Sequence, residues 1–317
     1  MRKTEIWEFI LIQLKKNIPT ALIIVTETEG STPGKTGFKL ALTLNGNIYG
    51  TIGGGKIEFE MIEKGKKLLH ENHTQPLELT YSLNSEINDE NGEMICGGEQ
   101  KIIFIFLTAS HISDIEKLIS HIHSHQKGEI QFNQFGNLKV VEIDSLTQKI
   151  ENPEPIIYAE PIGYEPVIHI IGGGHVSLAL SRILSTLNYY IIVYDERENI
   201  IMHDNNIFAD EKKQILFSNV HSLIEESERT YIVIMTPGHS LDEMVLRNTI
   251  KMNVGYIGML ASYKKRDEIL HKLQFDGFNT ETLNKLHCPI GIPINSYTPE
   301  EIAISIAAEI IKYNNRK

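Results

Sequence analysis

Residues 167–197 read VIHIIGGGHVSLALSRILSTLNYYIIVYDER. An apolar, β-branched run over 167–171 feeds three glycines. Leu178, Leu180, Ile183, Leu184 and Leu187 then recur at helical spacing, and a second apolar run closes on Asp195. This order predicts a βαβ unit. Gly172 and Gly174 suit a tight turn and the approach of a phosphate to bare backbone, with the next helix aiming its unpaired N–H groups at the anion. Asp195 stands where a ribose-binding acid would. The third fingerprint position is Ser177, a small residue in place of Gly or Ala. Two readings stay open for this stretch: a nucleotide-type site, or a Rossmann-type unit whose glycines only make the turn.

Downstream, β-like runs at 214–217, 231–235 and 256–258 continue the alternation of strand and helix expected of a doubly wound parallel sheet. Ligands of such sheets bind beyond the carboxyl ends of the strands. That rim would carry His175, and also His239 and Asp242 from the segment TPGHSLD at 236–242. The basic run Tyr263-Lys264-Lys265-Arg266 reads as a solvated helix start, with a phosphate or acidic partner as the alternative. Thr298, Pro299 and Glu301 mark the start of a last helix, with a capping box and Pro in its first turn.

Upstream, Ile6, Trp7, Ile10 and Leu14 predict an amphipathic first helix. A strand at 21–26 leads into the loop GSTPGKTG at 30–37, and Asn45-Gly46 joins two further strands as a hairpin. A second glycine loop, Gly53-Gly54-Gly55-Lys56, opens a helix, where backbone N–H groups can hold an oxyanion. Both loops approach the P-loop pattern and both miss it. Ile57 replaces the magnesium-binding hydroxyl in one, and the first glycine is Glu29 in the other. Cys96, beside Gly97 and Gly98, is either a reactive thiolate or a small buried hydrophobe. His121, His123 and His125 alternate and share no helix face, which argues for a solvated helix end and against a metal site. Prolines at 153, 155, 161 and 166 punctuate a broken pattern. The predicted organisation is therefore an N-terminal mixed α/β domain over 1–125, a connecting segment over 126–165 and a Rossmann-like domain over 166–317.

The composition narrows the partners. With 30 basic and 41 acidic residues the net charge is −11, which opposes the phosphate attraction that nucleic-acid binding needs. The two cysteines form no CxxC pair and the sequence offers no membrane span, so a soluble, cytoplasmic protein is expected.

Taken together, GSTPGKTG, GTIGGGKIE, MICGGE, IHIIGGGHVSLAL with VYDER, TPGHSLD, YIGMLASYKKR and PIGIPINSYTPEEIAISIAAEII, in this order, resemble the XdhC/CoxI family of xanthine dehydrogenase accessory factors. The resemblance implies a non-catalytic maturation factor that binds the molybdenum cofactor (molybdopterin), protects it while its terminal sulfur ligand is installed, and passes it to a xanthine dehydrogenase-type hydroxylase. The implied partners are that hydroxylase, a cysteine desulfurase and a second copy of the chain. The implied cofactor-binding residues are Ser31, Gly53, Gly54, Gly55, Lys56 and Cys96 in the N-terminal domain, with Gly172, Gly174, His175, Asp195 and His239 in the Rossmann-like domain. Many relatives carry Cys where this chain has Lys56, and the family's Gly-Ser after the late strand is Ala261-Ser262 here. The contrary reading is an NAD(P)-dependent oxidoreductase, favoured by Asp195 after the glycine turn.

Overall fold

The structure is a computed structural model that describes residues 3–82, 97–124, 126–142, 154–187 and 189–315. The chain forms two compact units, Met1–Tyr164 and Glu165–Lys317.

In the first unit, α1 (Lys3–Lys15) precedes the long strand β1 (Thr20–Gly30), the hairpin β2 (Lys39–Thr43) and β3 (Ile48–Gly50), and α2 (Gly55–His70). β4 (Leu77–Ser82) and β5 (Gly98–Leu107) complete an antiparallel sheet in the order β3-β2-β1-β5-β4. Alternation along the strands gives this sheet two apolar faces. Ile23, Leu42 and Phe104 pack under Ile57, Met61 and Leu69 of α2. Leu22, Ile24, Ile103 and Ile105 face the other way, onto the predicted stripe of α1 and onto Ile115 and Leu118 of α3 (Ile112–His123).

Residues 126–165, read from sequence as a connector, instead carry β6 (Gly128–Asn133), β7 (Leu138–Glu142) and β8 (Ile156–Ile162), a second small sheet in the order β7-β6-β8. Ile130, Phe132, Leu138, Tyr158 and Ile162 join the core around α1. Pro161 is accommodated because β8 lies at the edge of its sheet, where a missing donor costs least. The histidines at the end of α3 also depart from expectation. His121 is buried, at 7% exposure, against Gly128, whereas His123 is exposed and near Glu8; His125 lies outside the described residues.

The second unit is a six-stranded parallel sheet in the order β11-β10-β9-β12-β13-β14. Its strands are β9 (Val167–Ile171), β10 (Tyr190–Asp195), β11 (Glu211–Gln214), β12 (Thr230–Ile234), β13 (Tyr256–Met259) and β14 (Leu286–His287). Ile168, Ile170, Val193 and Val233 pack against α4 (His175–Leu184) and α7 (Pro299–Asn314). Ile171, Tyr194, Ile232 and Ile234 meet α5 (His239–Thr249) and α6 (Tyr263–Phe275) on the opposite face. β11 begins three residues before the run predicted for it, since an edge strand of sequence EKKQ shows little apolar signal. Phe217 is instead buried by a 3₁₀ turn, Phe217–Leu223. The last helix begins with the capping box and first-turn Pro read from sequence. No helix among the described residues is long and apolar enough to cross a membrane.

Candidate functional site

In the first unit the two glycine loops meet backbone to backbone. A Cβ on Gly53 would lie 2.2 Å from Gly34 N, and one on Gly34 would lie 2.1 Å from the Ile52 carbonyl oxygen. Gly53, at φ 121°, also takes a conformation that L side chains rarely adopt. The third glycine segment joins them through the β1/β5 register, where Gly30 pairs with Gly98, and a Cβ on Gly98 would sit 2.6 Å from the Ser31 carbonyl oxygen. Ser31, Gly53 and Gly97 are thereby gathered at one end of the sheet. Around the Cβ directions of Gly54, Gly55 and Gly97, by contrast, the space is open. Tight glycines hold the loops together and open glycines line the surface they make. Lys56, the second residue of α2, is exposed beside them. Cys96 lies outside the described residues.

Glu58 organises this cradle. Its carboxylate accepts hydrogen bonds from Thr51 Oγ1 (2.5 Å), Ile52 N (2.9 Å) and Gly54 N (3.1 Å). Burial raises its pKa, but these donors outweigh burial and hold the group below its ordinary value. The expectation that the loop's N–H groups await an external anion is thus revised. Ile52 and Gly54 give theirs to the chain's own carboxylate, and the surface left for a ligand is that of Gly54 and Gly55. The signal for Glu58 was present in GGGKIE, a carboxylate in the first turn of a glycine-started helix.

In the second unit, β9 lies between β10 and β12, so the connections leave it in opposite directions at a topological switch point. Gly172, at φ 115°, packs on the chain after β12: a Cβ there would lie 2.2 Å from the Met235 carbonyl oxygen. Gly173 is wedged against His203, where a Cβ would lie 2.8 Å from the histidine's own. Gly174 has open space around it. It precedes the exposed His175, the first residue of α4, and no side chain caps that helix. Gly238 and the exposed His239 repeat the arrangement at the start of α5, after the neighbouring strand. Two uncapped helix starts therefore face the same rim, an arrangement suited to anions.

Asp195 occupies the carboxyl end of β10 at 0% exposure, but its oxygens are already engaged. They accept from Gly173 N (2.8 Å) and from Arg197 N, Nε and Nη2 (3.0, 2.9 and 2.8 Å). Burial raises its pKa, and Arg197 with the Gly173 N–H more than reverses this, holding the carboxyl below its ordinary value. A carboxylate offers about four acceptor positions and all are taken, so a ribose diol would have to displace Arg197. Asp195 here ties the glycine turn to β10.

Asp242 is buried and accepts from Thr236 N (2.8 Å), Thr236 Oγ1 (2.5 Å) and Lys265 Nζ. Lys265 therefore points inward, unlike the solvated reading of its basic run, while Tyr263 and Lys264 remain exposed. Free Cys288 is also placed near Lys265, and burial pushes its thiol up to about 12, a protonated and unreactive state at neutral pH. Among the described residues no group of three or more His, Cys, Asp or Glu could hold a metal ion.

Fold and site together define a two-unit protein with a Rossmann-type parallel sheet and a separate glycine-walled cradle. The family model of the XdhC Rossmann domain matches residues 168–310, and that of the XdhC and CoxI family matches residues 13–82. The chain belongs to the XdhC/CoxI family. It is similar to the uncharacterized protein YqeB of Escherichia coli (strain K12), with 24% identity over 305 residues, 95% of this chain; the match spans only 44% of that relative's length. It is also similar to a probable xanthine dehydrogenase subunit of Bacillus subtilis (strain 168), with 21% identity and 93% of each chain covered. A crystal structure described as a xanthine dehydrogenase from Bacillus halodurans superposes with a TM-score of 0.75 at 21% identity, covering 100% of this chain and 97% of the other, and shares the fold.

Proposed function

We propose that this chain is a molybdenum-cofactor-binding accessory factor that protects the cofactor, assists its sulfuration and delivers it to a xanthine dehydrogenase-type hydroxylase. The observation that carries the reading is the convergence of Ser31, Gly53–Gly55 and Gly97–Gly98 into one cradle, with open space at the Cβ directions of Gly54, Gly55 and Gly97. The cofactor is an anionic pterin phosphate, and bare backbone with the Lys56 ammonium suits it. Gly54 and Gly55 would let the ligand reach main chain and Lys56 would balance its charge; the family resemblance assigns Cys96 to the same ligand. When bound, the cofactor supplies the molybdenum centre whose sulfur ligand the target enzyme requires. Sulfuration implies a cysteine desulfurase as partner, and a homodimer is the proposed assembly.

For the second unit, the reading assigns Gly174, His175 and His239 to an anionic portion of a ligand, with Gly172 shaping the glycine turn by packing on the chain after β12 and Asp195 positioning it. NAD(P) is compatible with a Rossmann fold, but the engagement of Asp195 by Arg197 removes the feature that favoured it. The test is equilibrium binding of molybdenum cofactor, released anaerobically from a donor enzyme, to the wild-type chain and to Cys96→Ala, with NAD titrated in parallel. Stoichiometric pterin retention, weakened by the substitution, is expected. Absence of pterin retention with saturable NAD binding would overturn the proposal.

A further inference from the structure

Gln100 on β5 lies at the floor of the first-unit cradle. It pairs across the sheet with Thr28 on β1 and Tyr81 on β4, and its side chain is 0% exposed. Neither Nε2 nor Oε1 has a hydrogen-bond partner. The amide is covered by the GSTPGKTG loop: a Cβ on Gly34 would lie 2.4 Å from Nε2, and the same Gly34 abuts Ile52 at the entry to the second glycine loop. Thr32 Oγ1 closes the loop by donating to the Gly34 carbonyl (2.8 Å). Buried polar side chains are nearly always paired, and an orphan calls for an explanation. A primary amide with both ends unpaired is a costly floor for a loop, and an apolar side chain of the same length would fill the position without that cost.

We infer that Gln100 is a recognition residue for a heterocycle bearing a lactam edge, an N–H beside a C=O, reached when the loop over Gly34 lifts. The inference rests on the cofactor reading above and deepens it. The amide offers a donor and an acceptor side by side, and a lactam edge presents their complement. An anion would satisfy Nε2 and leave Oε1 facing negative charge; a cation would do the reverse. Pterins and oxopurines share this edge, so the molybdenum cofactor and a guanine nucleotide are two sources of one chemistry.

The experiment compares full-length wild type, Gln100→Met and Gln100→Glu, titrated anaerobically with donor-released molybdenum cofactor and separately with GMP. Loss of a paired hydrogen bond weakens binding about tenfold or more in Gln100→Met, while its ligand-free melting temperature rises by about 2–4 °C because the orphan is gone. Gln100→Glu regains affinity as pH falls, since a protonated carboxyl again sets a donor beside an acceptor; a merely structural role would not produce this. Equal cofactor affinity in wild type and Gln100→Met overturns the inference and leaves the cofactor reading standing. Gln100-dependent binding of GMP without cofactor retention supports the inference and sinks that reading. No binding of either probe removes both.

Discussion

Three side chains tie the sites and the parallel sheet to pH. Asp195 and Glu58 are both held below their ordinary carboxylate values by donors of the chain, so the stability they contribute is complete above about pH 5 and is lost as pH falls through their lowered folded values. His169 acts in a different window. It is buried in the middle of the parallel sheet, joined to Tyr194 Oη at 2.9 Å, and burial lowers it from 6.5 to about 4. The unfolded chain takes up that proton first, so stability should be full above about pH 6.5 and fall by roughly 3 kcal/mol between there and pH 4. Urea denaturation at pH 7.5 and 4.5 measures the drop, and His169→Gln should remove most of it. An undiminished drop in the variant would place the effect on another group.

At the scale of elements, the glycine turn after β9 separates tightly packed from open positions within three residues. Gly172→Ala combines positive φ with collision against the Met235 carbonyl and should cost about 2 kcal/mol or more, read as a lowered urea midpoint. Gly174 has an ordinary φ of −82° and open space, so Gly174→Ala should stay within about 1 kcal/mol of wild type. If an anion docks there, the same substitution should weaken its binding while leaving the melting curve nearly unchanged. Equal effects of both substitutions on stability would refute this division of labour.

For the whole molecule, each unit builds its cores from its own residues, two apolar clusters on the two faces of each main sheet. Fragments 1–164 and 165–317 should therefore each fold alone and melt cooperatively. A cut at residue 125 should instead remove β6–β8 from the core around α1 and leave the first fragment molten, as seen by near-UV circular dichroism.

Repetition made the parallel sheet legible in the sequence. Runs such as VIHII and YIVIM are apolar on both faces, and the glycines and capping residues between them are local devices that need no distant partner. The edges were not legible: β11 is polar and β8 contains Pro161, because a strand with one free side owes little to hydrophobicity or to a full ladder. In the candidate sites, sequence determined which glycines, histidines and acids lie at strand ends, since their offsets along the chain fix that. Tertiary structure alone decided what each one touches. Asp195 turned from an expected ribose acceptor into the anchor of its own glycine turn, Lys265 turned inward to Asp242, and Gln100 was left unpaired beneath Gly34. Hydrogen bonds and burial between residues far apart in the chain are set by packing, which no local spacing encodes.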